Sequence, residues 1–167
     1  MKESIEEITD WLRDAHAMES NLVTMLEKQV SRLTDYPELQ QSVAAHAEES
    51  KTHALLVEDA LKSIGQSTSA LKDGFAKFTG MVGQAGVGMA SDAPVKIVLA
   101  NYGAEHFEIA CYLSLKTACE SVGLDEIAEM CDRILEDERK MVEMLEAYIP
   151  EVTTTHLNMN ELEESSV

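Results

Sequence analysis

Cysteine, proline, aromatic and basic residues are all scarce in this 167-residue chain, and each shortage excludes a class of protein. Three cysteines, Cys111, Cys119 and Cys131, are too few and too irregularly spaced for a disulfide framework, and no CxxC pair occurs. Against 31 Asp and Glu there are only 13 Lys and Arg, a formal charge of −18 that both nucleic acid and an anionic membrane surface would repel. No apolar run approaches the roughly 20 residues that cross a bilayer. The opening segment, MKESIEEITDWLRD, has neither the basic region nor the apolar stretch of a secretory leader, so a soluble protein in the reducing cytoplasm is expected. Aromatics make up 5% of the chain while hydrophobic residues make up 45%, enough for one folded domain with a largely aliphatic core.

What remains is helix-forming sequence. The three prolines, Pro37, Pro94 and Pro150, stand at natural breaks, and six of the eight glycines fall between Gly65 and Gly88. The stretches between are rich in Ala, Leu, Glu, Lys and Met, which favour helix. Hydrophobic periodicity divides them into helices over about 5–33, 38–64, 95–122 and 125–149. Short turns at 34–37 and 123–124 predict two antiparallel hairpins, joined by a crossover over 65–94. Leu71, Phe75, Phe78 and Val82 have helical spacing within that crossover, and the segment from Gly80 to Gly88 reads as a linker. Residues 150–167 read as an acidic, disordered tail. The expected fold is an all-α, antiparallel four-helix bundle.

The apolar stripe of each helix is interrupted at mid-length. Helix one presents Ile8, Leu12, Ala15, Glu19, Leu22 and Leu26; helix two presents Val43, His46, Ser50, His53 and Val57, with Glu49 beside the seam. Helix three presents Asn101, Glu105, Glu108 and Tyr112, and helix four presents Ile134, Glu138 and Met141. The heights agree. Glu19 lies 16 residues before position 35, and Glu49 and His53 lie 14 and 18 after it; Glu108 and Glu138 each lie 15 residues from Gly123. At 1.5 Å of rise per residue, these positions form one polar layer across the middle of the bundle. Buried carboxylates packed together repel one another and require protons or a cation. Carboxylate oxygens with one or two imidazoles suit iron or manganese, with zinc as a further candidate.

Four segments carry a resemblance: LRDAHAMESNL, PELQQSVAAHAEESKTH, AEHFEIACY and ILEDERKMVEML. In order and spacing they resemble the ferritin-like superfamily, and within it the YciE/YciF family of small bacterial proteins. The resemblance implies a rubrerythrin-like dimetal site, a homodimer or higher homo-oligomer, and a link to bacterial stress responses. Carried over by position, the implied metal ligands are Glu19, Glu49 with His53, Glu105 and Glu108, and Glu138. The chain departs from the pattern where Ser50 stands in place of a Glu three residues before His53. It departs again where Met141 and Val142 stand in place of a second ligand on helix four. Asp137 and His46 are the substitutes within reach, His46 reading equally as a hydrogen-bonded core histidine, and Tyr112, one turn from Glu108, is positioned to pack in the core or to hydrogen-bond a ligand. His16 and His106 are expected to be exposed, and the three cysteines to be small core residues.

The implied chemistry is oxidation of iron, or consumption of oxygen or peroxide. No rubredoxin-like cysteine module accompanies it, and neither a complete rubrerythrin-type peroxidase nor a storage cage is expected. A metal-free or vestigial bundle serving as an oligomeric interaction module is the alternative, favoured by Met141 and Val142 and by nine methionines suited to an adaptable interface.

Overall fold

Four long helices account for the architecture of the computed structural model, which describes residues 2–68 and 92–164. They are α1 (Lys2–Val30), α2 (Pro37–Ser63), α3 (Ala93–Val122) and α4 (Asp125–Glu164). The expected all-α four-helix bundle is what forms. The helical stretch expected around Leu71, Phe75, Phe78 and Val82 and the glycine-rich linker lie outside the described residues.

Local chemistry sets most helix ends. Pro37 sits in the first turn of α2, where its missing N–H costs no hydrogen bond. Gly65 and Gly123, at φ of +72° and +78°, take the left-handed conformation that closes α2 and α3. The N–H groups of Gln66 and Leu124 then donate back to the carbonyls of Leu61 and Cys119, each at 2.9 Å. The first helix stops three residues short of the expected end. Leu33 and Tyr36 are needed as buried turn residues, and Gln40 Nε2 satisfies the freed Val30 carbonyl at 2.8 Å.

The C-terminal segment corrects the sequence expectation. Pro150 lies inside α4, which continues to Glu164 in place of the expected disordered tail. Tertiary packing overrides the local signal, because Val152 is fully buried in a cluster with Leu33, Tyr36 and Ile97. Burying such a side chain is worth about 1.5–3 kcal/mol, comparable with the cost of roughly 3 kcal/mol for a proline within a helix.

Helix α1 lies along α2, and α3 along α4; the hairpins then meet through α1 against α3 and α2 against α4. The last of these contacts is the most sparsely packed. The apolar interior comes in two separate clusters. One, around Leu12, Val57, Leu115 and Ile134, fills one half of the bundle, and the other, around Leu26, Val43, Ile97 and Leu145, fills the other half. Between them the core is polar. No helix among the described residues is long and apolar enough to cross a membrane.

Candidate metal centre

Glu19 on α1, His46, Ser50 and His53 on α2, Glu105 and Glu108 on α3, and Glu138 on α4 are each at most 2% exposed. Their spacings of three and four residues keep them on the inward face of each helix. Two groups result. In one, His46, Glu105, Glu108 and Glu138 each offer a ligand atom within 4.8 Å of the others; in the second, Glu19, His53 and Glu138 do the same. Glu138 belongs to both.

Direct contacts knit the layer. His46 Nε2 lies 3.0 Å from Glu105 Oε1, and His53 Nδ1 lies 3.0 Å from Glu138 Oε1 and 3.7 Å from Glu19 Oε1. The Tyr112 hydroxyl donates to Glu19 Oε1 at 2.5 Å, so Tyr112 both packs in the core and holds a carboxylate. Each imidazole turns its other nitrogen toward a carboxylate nearer the surface. His46 Nδ1 faces Glu49 Oε2 at 3.6 Å, and His53 Nε2 faces Asp137 Oδ2 at 3.6 Å.

The electrostatics are severe. Burial, then the charge of Glu138, pushes Glu19 up to about 7, with His53 pulling the other way. Burial and neighbouring carboxylates raise Glu105 and Glu108 well above the usual range. Glu138 is the exception. Burial would raise it, but its close pairing with His53 and with Glu105 outweighs that and holds it below its ordinary value. Burial likewise opposes a charged His53, yet its 3.0 Å pairing with Glu138 and the charge of Glu19 raise its pKa. Burial and the Glu19 charge push the Tyr112 hydroxyl well up.

The donor atoms fit a metal. Both oxygens of Glu108 and of Glu138, one each of Glu105 and Glu19, and both His53 nitrogens are buried without a hydrogen-bond partner. Four carboxylates carry the charge that two divalent cations would cancel, and oxygen with imidazole nitrogen is a donor set for transition metals.

Of the residues singled out in sequence, Glu19, His53, Glu105, Glu108 and Glu138 come together, and His46 joins them. Glu49 stands outside both groups with its side chain 39% exposed. Met141 is buried in the apolar cluster next to the layer. His106 is exposed as expected, whereas His16 is half-buried, its Nδ1 inaccessible and without a hydrogen bond. Cys119 and Cys131 are fully buried, and burial pushes their thiols up to about 11 and about 12, the behaviour of inert packing residues.

Known proteins share this architecture. The family model of a domain of unknown function, DUF892, matches residues 5–158. Among solved structures, a protein of Xanthomonas campestris is similar with a TM-score of 0.75 and 29% identity, the match covering 95% of this chain and 99% of that one. The stress protein YciF of E. coli gives a TM-score of 0.76 at 23% identity, with 92% and 99% covered. YcfI from Rhodopseudomonas palustris gives a TM-score of 0.76 at 23% identity, with 86% and 92% covered.

Proposed function

The chain belongs to the DUF892 family of YciF-like helical proteins, and we propose that its buried polar layer is a two-metal centre of iron or manganese serving a redox role in stress. The observation that carries this is the sharing of Glu138 between two ligand groups, so that one carboxylate would serve both positions. A reduced pair of such ions, held by these residues, would supply electrons to oxygen or peroxide. The chain's own residues do the rest. Glu19, Glu105 and Glu108 would give up protons to become ligands, and Glu138 is already ionised; Tyr112 holds Glu19 in one orientation; the flanking apolar clusters exclude bulk water. Zinc would fit the same donors. We also take the chain to be a cytoplasmic homo-oligomer, with the apolar groove of Trp11 and Leu113, 40% and 42% exposed, as a surface suited to association.

The test is metal content, measured per chain on protein prepared without chelator or affinity metal. Roughly two iron or manganese ions are expected, as in bridged carboxylate centres of helical bundles. No metal, even after anaerobic addition of ferrous iron, would overturn the reading in favour of a metal-free interaction module.

The pH dependence of stability supplies a second prediction. Glu19 is raised from 4.5 to about 7, so in the metal-free chain its contribution is complete below pH 4.5 and is lost as pH rises through about 7. That contribution is on the order of 3 kcal/mol. Glu105, Glu108 and His53 are raised and act in the same direction. Glu138 is lowered, so its contribution is present above its ordinary range and is lost only at the acid end. The metal-free protein should therefore melt at higher temperature at pH 5 than at pH 8. With metal bound the slope reverses, because protons displace the ions from their ligands. Melting curves with chelator and with metal that run parallel across this window would contradict the centre.

A further inference from the structure

The layer is sealed on most sides. Tyr112 spans from α3 to Glu19 on α1 and is fully buried, and the two apolar clusters close the layer above and below. Between α2 and α4 the closure is thinner. That is the sparsest of the four helix pairings described above, and the buried α2 side chains between His46 and His53 are the small Ala47 and Ser50. Ser50 is 0% exposed, and its hydroxyl is buried without a hydrogen-bond partner.

Two carboxylates flank the buried histidines on either side of Ser50 in sequence, one on each helix. Glu49 and Asp137 have side chains 39% and 34% exposed, in contrast to the buried layer beneath, and each faces the outer nitrogen of a buried histidine at 3.6 Å. At that distance neither is locked to its imidazole by a hydrogen bond. His53 Nε2 and His46 Nδ1 accordingly remain buried and without hydrogen-bond partners. The arrangement is a short ladder of cation donors, running from half-exposed carboxylates through imidazole nitrogens to the buried carboxylates. Lys140 already brings a positive charge to its outer rung, with Nζ 3.1 Å from Asp137 Oδ1.

We propose that Glu49 and Asp137 form a cation port between α2 and α4, through which divalent metal ions pass over Ser50 into the buried layer. This rests on the metal-binding reading above and adds the route. Carboxylates at a port lower the barrier for passage in both directions, so they set rates while leaving the final occupancy unchanged. Residues that merely oriented the histidines would change affinity instead.

The experiment uses the full chain, freed of metal and mixed rapidly with cobalt(II), whose absorption reports binding. Release is followed after adding excess chelator. In the Glu49→Gln, Asp137→Asn double variant, uptake and release should both slow about tenfold, the lower end of what local electrostatic focusing provides. Equilibrium occupancy should equal that of the wild type. Lys140→Gln should act in the opposite sense, speeding uptake roughly threefold by freeing the outer carboxylate. Glu126→Gln with Glu129→Gln, removing two exposed charges near the start of α4, should leave the rates alone. Unchanged rates in the double variant would overturn the port while leaving the metal centre intact. Reduced occupancy would also overturn it, by making Glu49 or Asp137 a ligand. A wild-type chain that takes up no cobalt would overturn the metal-binding reading, and the port with it.

Discussion

Replacing Glu138 by Gln should empty both metal positions at once, from roughly two ions per chain to near none. Among the described residues Glu138 alone belongs to both ligand groups, and it is also the carboxylate that the surroundings keep ionised. Glu19 serves only the group with His53, so Glu19→Gln should leave about one ion per chain. The contrast between the two variants is the informative quantity, because both are buried carboxylates one amide away from the wild type. In the metal-free state Glu138→Gln should cost about 1–3 kcal/mol, since it weakens the 3.0 Å pairing with buried His53. Metal analysis beside chemical unfolding in chelator separates the two effects. Equal metal loss in both variants would mean that the groups do not share Glu138 as a bridge.

Much of this was legible in the sequence, and the reasons are physical. Periodicity finds the four helices because each keeps its inward positions at helical spacing even where polar residues break the apolar stripe, and Gly65 and Gly123 mark two ends in the left-handed conformation. Pro150 misleads because its signal is local while the force that continues α4 is tertiary: Val152 packs beside Leu33 and Tyr36, a contact no window around residue 150 contains. Leu33 misleads in the opposite way. It continues the stripe of α1 by spacing, yet it is buried as part of a turn.

The polar layer was legible for a different reason. A carboxylate where leucine belongs is visible in a single helix, but the agreement in height across four helices makes the layer a unit. The interior does divide at that height, into one apolar cluster on each side. The second helix shows where pattern and resemblance diverge. Its polar stripe runs His46, Ser50, His53, and those three side chains are buried. The family pattern points instead to Glu49, which sits beside the stripe and is half-exposed. Spacing alone therefore carried the signal for His46, whereas the pairing of His46 with Glu105 depends on how the hairpins dock and is not written in either helix.

A buried site built for metal should be a burden to the fold without it, and Glu108 is where that burden is most concentrated. Its side chain is 1% exposed and neither oxygen has a hydrogen-bond partner, while burial and the charges of Glu19 and Glu138 hold its acid well above the usual range. Methionine has a similar volume and no such demand. In chelator, Glu108→Met should therefore be more stable than the wild type by ~1–4 kcal/mol, the range seen when buried charged groups give way to well-packed apolar ones. With metal the order should reverse. A ligand at about 100 times its dissociation constant contributes about 2.7 kcal/mol per site to the wild type, and the variant, missing a ligand of the first group, should gain little. Urea unfolding of both proteins with and without metal gives four midpoints and a direct check. A variant less stable than the wild type in chelator would show that Glu108 contributes to the apolar fold itself. A variant more stable in both conditions would show that the layer gains nothing from the ion. Only the crossing of the two orders fits a residue whose unfavourable burial is offset by a bound cation.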